Sequence, residues 1–213
     1  MKRIWGTLVV AGFLALGLIS GCGSEKQAAQ AEAGATQRPA ATQETAQGTA
    51  QEPGTLTLAY TYQPKSGAWA NQLAAWIEDE NGTVVRTLMA TRFTAQGGYK
   101  KRSMSLPVWV KRSGLAQMDS NQVDALTSAT PQAGKQTLVW DGKDDKGQPV
   151  PDGPYKVVLE ATLYKNSDEL FIGTFVKGGP DQPVKIDAVL DQEPEQAANR
   201  DMVSGVNAVY KRR

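Results

Sequence analysis

The chain has 213 residues, with 23 Lys+Arg against 22 Asp+Glu, no histidine and one cysteine. That length suits one ordinary domain with accessory segments, and the near-zero net charge argues against a dedicated nucleic-acid binder, which needs a basic face. Without histidine there is no Ser-His-Asp triad, no His-ligated zinc or haem iron and no imidazole base, and one cysteine makes neither an internal disulfide nor a thiolate cluster.

The chain begins with Lys2 and Arg3 and then an apolar run from Leu8 to Ile19. That run is shorter than the about 20 residues a spanning helix needs, and it fits the apolar core of a secretory signal peptide. Leu18-Ile19-Ser20-Gly21-Cys22 resembles the bacterial lipobox. The resemblance implies cleavage of residues 1–21 and a diacylglycerol thioether on Cys22, which makes a membrane the first partner through a lipid anchor. Gly23 rather than Asp follows the cysteine, which in a Gram-negative cell resembles cargo sent on to the periplasmic side of the outer membrane. The expected location is therefore the cell envelope, lipid-anchored and extracytoplasmic. Losing Lys2 and Arg3 takes the net charge from +1 to −1, which steers the domain toward no charged partner.

Residues 22–54 hold the lipidated cysteine and a tether. From Gly23 to Gly54 there is no Val, Ile, Leu, Met, Phe, Trp or Tyr, so the stretch cannot bury enough apolar surface to offset its ordering entropy. A flexible coil of that length has a typical end-to-end distance of about 30 Å.

Residues 55–192 read as one domain. Leu56, Leu58, Tyr60 and Tyr62 alternate with small polar residues, a strand with one apolar face. Leu73 to Asp79 and Thr83 to Thr91 flank Glu80-Asn81-Gly82, a hairpin signal. Ser105 is placed to cap one short helix through Leu106–Val110 that ends at Gly114. Gln136–Trp140, Tyr155–Tyr164, Leu170–Val176 and Val184–Leu190 read as further strands. Residues 193–213 are a C-terminal tail in which Val203–Tyr210 fits a last strand; Val203, Val206 and Val209 recur every three residues, which also fits a short helix. The fold class is mainly β, an immunoglobulin-like β-sandwich with one short helical insertion closing an end.

The segment from Trp140 to Tyr155, W-D-G-K-D-D-K-G-Q-P-V-P-D-G-P-Y, resembles the turn of Ig-like modules in flagellar-hook assembly proteins and secreted-enzyme tails. An EF-hand loop starting at Asp141 needs an oxygen ligand where Lys143 stands, so a hairpin is expected and no metal site. Glu78-Asp79-Glu80 and Asp168-Glu169 read as solvated strand ends, Lys100-Lys101-Arg102 with Lys111-Arg112 as solvated basic runs, and Trp69, Trp76, Trp109 and Trp140 as core. No residue reads as catalytic.

Ala75-Trp76-Ile77-Glu78-Asp79, Val85-Arg86-Thr87-Leu88, Leu106 with Trp109, Asp124 to Thr130, and the turn motif through Glu160 together resemble a bacterial family of predicted periplasmic proteins, a domain of unknown function numbered 2271. Within them, Asp124-Ala125-Leu126-Thr127-Ser128-Ala129-Thr130 resembles the acceptor sequence of FAD:protein FMN transferase. That likeness rests on Asp124, Thr127, Ala129 and the final hydroxyl, and it implies covalent FMN on Thr130 through a phosphoester. The residues by themselves equally allow Asp124 or Thr127 to cap a helix or form an Asx or ST turn. The reading of the whole is a non-enzymatic, lipid-anchored module serving as an accessory or partner-binding element of a flavin-linked envelope electron-transfer system. The alternative is a redox carrier with FMN attached at Thr130, whose partners are the FMN transferase and envelope electron-transfer proteins.

Overall fold

A computed structural model describes residues 54–66, 71–163, 168–191 and 202–212. The signal segment, Cys22, the tether up to residue 53 and Trp69 lie outside the described residues. Among these residues, ten strands and three short α-helices follow in order: β1 (Thr55–Tyr62), β2 (Gln72–Asp79), β3 (Val84–Thr91), α1 (Arg92–Ala95), α2 (Pro107–Ser113), α3 (Ser120–Leu126), β4 (Thr127–Ser128), β5 (Gly134–Trp140), β6 (Gly153–Thr162), β7 (Asp168–Lys177), β8 (Gln182–Val184), β9 (Ile186–Asp191) and β10 (Val203–Lys211). They build two sheets, one ordered β5-β1-β10-β8 and the other β4-β3-β2-β6-β7-β9. Every pairing is antiparallel except that of β3 with β4.

The sandwich forms because each sheet carries an apolar face with a two-residue period. Leu56, Leu58, Tyr60 and Tyr62 of β1 pack against Leu73, Ala75 and Ile77 of β2 and Val157, Leu159 and Ala161 of β6 in one core between the sheets. Trp140, Tyr155, Phe175 and Tyr210 continue that core as a chain of ring contacts, with centroids 5.4 to 5.8 Å apart along it. The β2–β3 hairpin turns on Gly82 at φ 81°, and the Asp79 carboxylate accepts from the N–H groups of Asn81 (3.0 Å) and Thr83 (2.8 Å). A three-residue loop ending in left-handed glycine is a standard hairpin solution.

Three expectations need correction. The insertion holds three helices rather than one, and it covers the outer face of the larger sheet instead of closing an end. Ala74, Trp76 and Val158 on that face form a second core with Leu106, Trp109, Leu115 and Leu126, which is why β2 is buried on both sides. The run Val184–Leu190 is two strands, since the chain leaves the smaller sheet after β8 and joins the larger one as β9. Gly173 makes room for this crossing: a Cβ there would sit 2.6 Å from side-chain atoms of both Val184 and Ile186. The C-terminal segment is the strand that the sequence offered rather than the alternative helix, and it lies inside the smaller sheet between β1 and β8. Its three-residue valine spacing reflects an irregularity opposite Ala59–Thr61, where Gly205 takes φ 60° and resets the alternation.

The third correction concerns the start of α2. Ser105 does not cap it; the cap position is Leu106, buried and left-handed at φ 53°. The capping acceptor comes from β6, where the two carboxylate oxygens of Glu160 take the N–H of Val108 (3.0 Å) and of Trp109 (2.7 Å). These are the donors a local side chain would have satisfied. Pro107 at the first helical position has no N–H to orphan.

Candidate functional site

The acceptor-like segment spans the end of α3 and the short strand β4. Asp119 caps α3 in a capping box: its carboxylate accepts from the Gln122 N–H (2.9 Å), and the Gln122 side chain accepts from the Asp119 N–H (3.0 Å). This Asp-x-x-Gln signature is legible in the chain and is the signal by which α3 could have been found. Asp124 is therefore inside a helix and not its cap; it is exposed. Thr127 turns its hydroxyl back onto the Val123 carbonyl (2.7 Å), closing the helix end. The local structural reading thus holds for Thr127, whose hydroxyl is committed.

β4 then lies parallel to the end of β3, with Thr127 opposite Ala90 and Ser128 opposite Thr91. It is one of the two edge strands of the larger sheet. Beyond it, Ala129 and Thr130 are exposed and carry no regular structure. Pro131 follows, which biases Thr130 to an extended backbone. The structure brings Asp124, Thr127, Ala129 and Thr130 into one corner of the molecule, with only the last two at its open tip.

The frame under this loop is buried and polar. The Gln72 side-chain oxygen accepts from the hydroxyls of Thr91 and Thr94 (both 2.8 Å) and from the Thr94 N–H (3.3 Å). The Leu73 N–H donates to the Thr91 hydroxyl (3.2 Å). One amide thus ties β2, the end of β3 and α1 together in a site away from water, where such a network is rigid. Beside it lies a groove of about 320 Å³ lined in part by Tyr99, Lys100, Leu115, Met118, Val123 and Asp124. That is at the small end of the roughly 300–1,000 Å³ range of small-molecule sites.

Of the acidic residues read as solvated strand ends, Asp79 and Glu80 sit at the hairpin turn as expected, and the other three do not. Glu78, Asp168 and Glu169 are all buried. Glu78 receives the Arg112 guanidinium at 2.6 Å and the Trp76 indole N–H at 3.1 Å, with the Lys156 ammonium 3.7 Å away. Arg112 is therefore part of the helical cover's attachment and not a free basic patch, and Arg102 likewise donates to the Leu163 carbonyl. Glu160 is pushed up to about 8 by burial and then by the neighbouring Asp168 carboxylate, against the pull of its two N–H bonds. Glu78 and Glu160 hold the helical layer on the sheet, through Arg112 and the first N–H groups of α2. Sequence reasoning missed them because a strand pattern does not reveal that its outer face is covered.

The turn motif is also structural. Asp144 accepts from the N–H groups of Lys146 (2.9 Å) and Gln148 (2.8 Å). Asp145 accepts from the Thr87 N–H (3.1 Å) and lies 3.8 Å from the Arg86 guanidinium. The Trp140 indole donates to the Lys143 carbonyl (2.7 Å) and the Tyr155 hydroxyl to the Pro151 carbonyl (2.9 Å). Among the described residues, no group of three or more Asp, Glu, His or Cys is placed to hold a metal ion.

Fold and site define a class: a two-sheet β-sandwich with a helical cover, presenting one hydroxyl-bearing loop from a sheet edge. The family model DUF2271, predicted periplasmic protein, matches residues 55–188, and the chain belongs to that family. The description supports an extracytoplasmic location. The match ends before β10, which the structure shows to be integral to the smaller sheet. No curated protein and no solved structure matches the chain.

Proposed function

We propose that the protein is a lipid-anchored, extracytoplasmic, non-enzymatic module of a flavin-linked electron-transfer system in the cell envelope, and that it carries FMN on Thr130. The observation that carries this reading is the placement of Thr130. It is the last residue of an acceptor-like sequence, and it stands exposed directly beyond an edge strand on a rigid frame. A hydroxyl that must enter another protein's active site has to be accessible, and a loop anchored on a sheet edge meets that need.

The residues fit the group. Thr127 holds the base of the loop and Ala129 adds no bulk beside the acceptor. In the transfer, the Thr130 oxygen forms a bond to the FMN-side phosphorus of FAD as the pyrophosphate bond breaks. AMP leaves with the bridging oxygen, and the hydroxyl proton passes to a base on the transferase. When bound, FMN supplies redox chemistry that this chain's side chains lack. The protein's own part is to hold the attachment point outside the cytoplasm, tethered through Cys22 to a membrane, within reach of envelope electron-transfer proteins.

Co-expression of the mature protein with an FAD:protein FMN transferase, followed by intact-mass measurement, tests this. The expected result is a gain of one FMN moiety that is lost in Thr130→Val. An unchanged mass would refute the carrier and leave the accessory module without a flavin of its own.

A further inference from the structure

The groove beside the polar frame is walled in part by the acceptor-like sequence itself. One wall is the end of α1 and the turn after it, with Gln96, Tyr99 and Lys100. The other runs from Leu115 through Met118 to Val123 and Asp124 of α3. Asp124 is also the first residue of the acceptor-like sequence. Thr127 donates its hydroxyl to the Val123 carbonyl (2.7 Å), which pins the root of the acceptor loop to this wall. Consecutive Cα atoms stand about 3.8 Å apart, so the Cα of Thr130 lies within about 11 Å of that of Thr127 whatever path the loop takes. FMN attached at Thr130 carries its ring on a ribityl phosphate arm of similar length, which puts the groove within the ring's reach.

The chemistry of the groove divides as that of the ring does. Ala95 and Leu115 are buried in the second core, and Tyr99, Met118 and Val123 pack against it half-buried, which makes the floor apolar. Gln96, Lys100 and Asp124 stand exposed at the rim. Isoalloxazine is flat and apolar at its dimethylbenzene end, and at the other it presents an N–H between two carbonyls. A carboxylate such as Asp124 accepts from that N–H, and the Lys100 ammonium and Gln96 amide are donors for the carbonyls. The Tyr99 ring, 5.9 Å at its centroid from the Lys100 ammonium, supplies an aromatic surface.

The α1 wall is also held in place before any ligand arrives. The N–H groups of Gln96 and Gly97 close the helix onto the carbonyls of Arg92 (2.9 Å) and Thr94 (3.1 Å). Thr94 is in turn bonded to the buried Gln72. A preformed wall spares a ligand the cost of ordering it. Grooves of this size are ordinary on protein surfaces; an acceptor-like sequence built into the wall sets this one apart.

We propose that the groove between α1 and α3 seats the isoalloxazine ring of FMN linked to Thr130, an inference that rests on the acceptor reading of Thr130. The covalent link makes the contact intramolecular, at an effective concentration of roughly millimolar, so a small groove holds the ring where free FMN would not bind.

The test uses full-length protein labelled by co-expression with the transferase. Intact mass first reports attachment for wild type, Tyr99→Phe, Tyr99→Ala and Phe93→Ala, and all four are expected to gain one FMN. Flavin fluorescence then reports the seat. Tyr99→Phe keeps the aromatic ring but removes the phenol that donates an electron to excited flavin, so emission is expected to rise at least two-fold. Tyr99→Ala is expected to lower flavin anisotropy and to raise collisional quenching by acrylamide at least two-fold, as the ring comes free. Phe93→Ala removes an exposed aromatic that does not line the groove, and it is expected to match wild type. Labelled Tyr99 variants with wild-type emission, anisotropy and quenching would overturn the seat and leave the acceptor standing. The same changes in Phe93→Ala instead would place the ring outside the groove and also overturn it. Absence of label from wild type would sink the acceptor reading, and the seat with it.

Discussion

Replacing Glu160 by Gln removes one ionisable group from beneath α2 while keeping nearly the same shape. In the folded protein the Glu160 carboxyl titrates at about 8 instead of 4.5. Between those pH values the folded chain holds a proton that the unfolded chain has released. The group therefore contributes stability that is fully present below about pH 4.5 and is lost as pH rises through 8. A window of that width corresponds to roughly 5 kcal/mol at full strength. Relaxation around a buried charge, and the helix N–H bonds that tighten on the ionised form, bring the expected fall to about 2–3 kcal/mol. Glu160→Gln keeps one acceptor oxygen, so one of the two capping N–H groups loses its partner at a cost of about 1 kcal/mol at low pH. Urea unfolding followed by tryptophan fluorescence at pH 5, 7 and 9 reads this directly, since Trp109 is buried in the helix concerned. The variant is expected to be less stable than wild type at pH 5 and to equal or exceed it at pH 9. The informative quantity is the difference between the two profiles, because the rest of the chain is common to both proteins. Parallel profiles across the range would show that Glu160 is ionised throughout, and the argument from burial would be wrong.

Deleting residues 203–213 removes a strand paired on both sides, together with the buried Val203, Ala208 and Tyr210. The truncated protein is expected to be insoluble or to lose its cooperative unfolding transition, although it retains the whole family-matched segment; a normal urea transition would contradict the placement of β10. Cys22→Ser is expected to move the protein from the membrane to the soluble extracytoplasmic fraction and to abolish the acyl mass increment, as fractionation and intact mass would reveal. Continued membrane association of that variant would count against the lipid anchor.

Much of the sandwich was legible because strand periodicity reports a buried face directly. Leu56 to Tyr62 and Tyr155 to Leu163 each show the alternation that the core between the sheets requires. The Asn-Gly turn and the W-D-G segment were legible because their backbone demands local residues: left-handed glycine, and aspartates whose carboxylates accept nearby N–H groups. Val203–Lys211 was ambiguous because Gly205 interrupts its alternation, and only the pairing with β1 and β8 identifies the strand.

The chain's sequence alone determined which residues are apolar and on which period, where the turns fall, and where an acceptor-like motif and a lipidation-like cysteine stand. It could not reveal what covers the outer face of the larger sheet, since Ala74, Trp76 and Val158 meet residues more than fifteen positions away. That one tertiary fact turns Glu78 from a solvated charge into a buried anchor and gives α2 a cap from another strand, Glu160 of β6. It also sets the acceptor-like loop at the edge of the larger sheet beside the end of β3, because a parallel pairing between segments 37 residues apart is invisible to any local pattern. Local chemistry fixes elements; only packing decides which of their faces meet water, and the corner proposed as the flavin site is made by that decision.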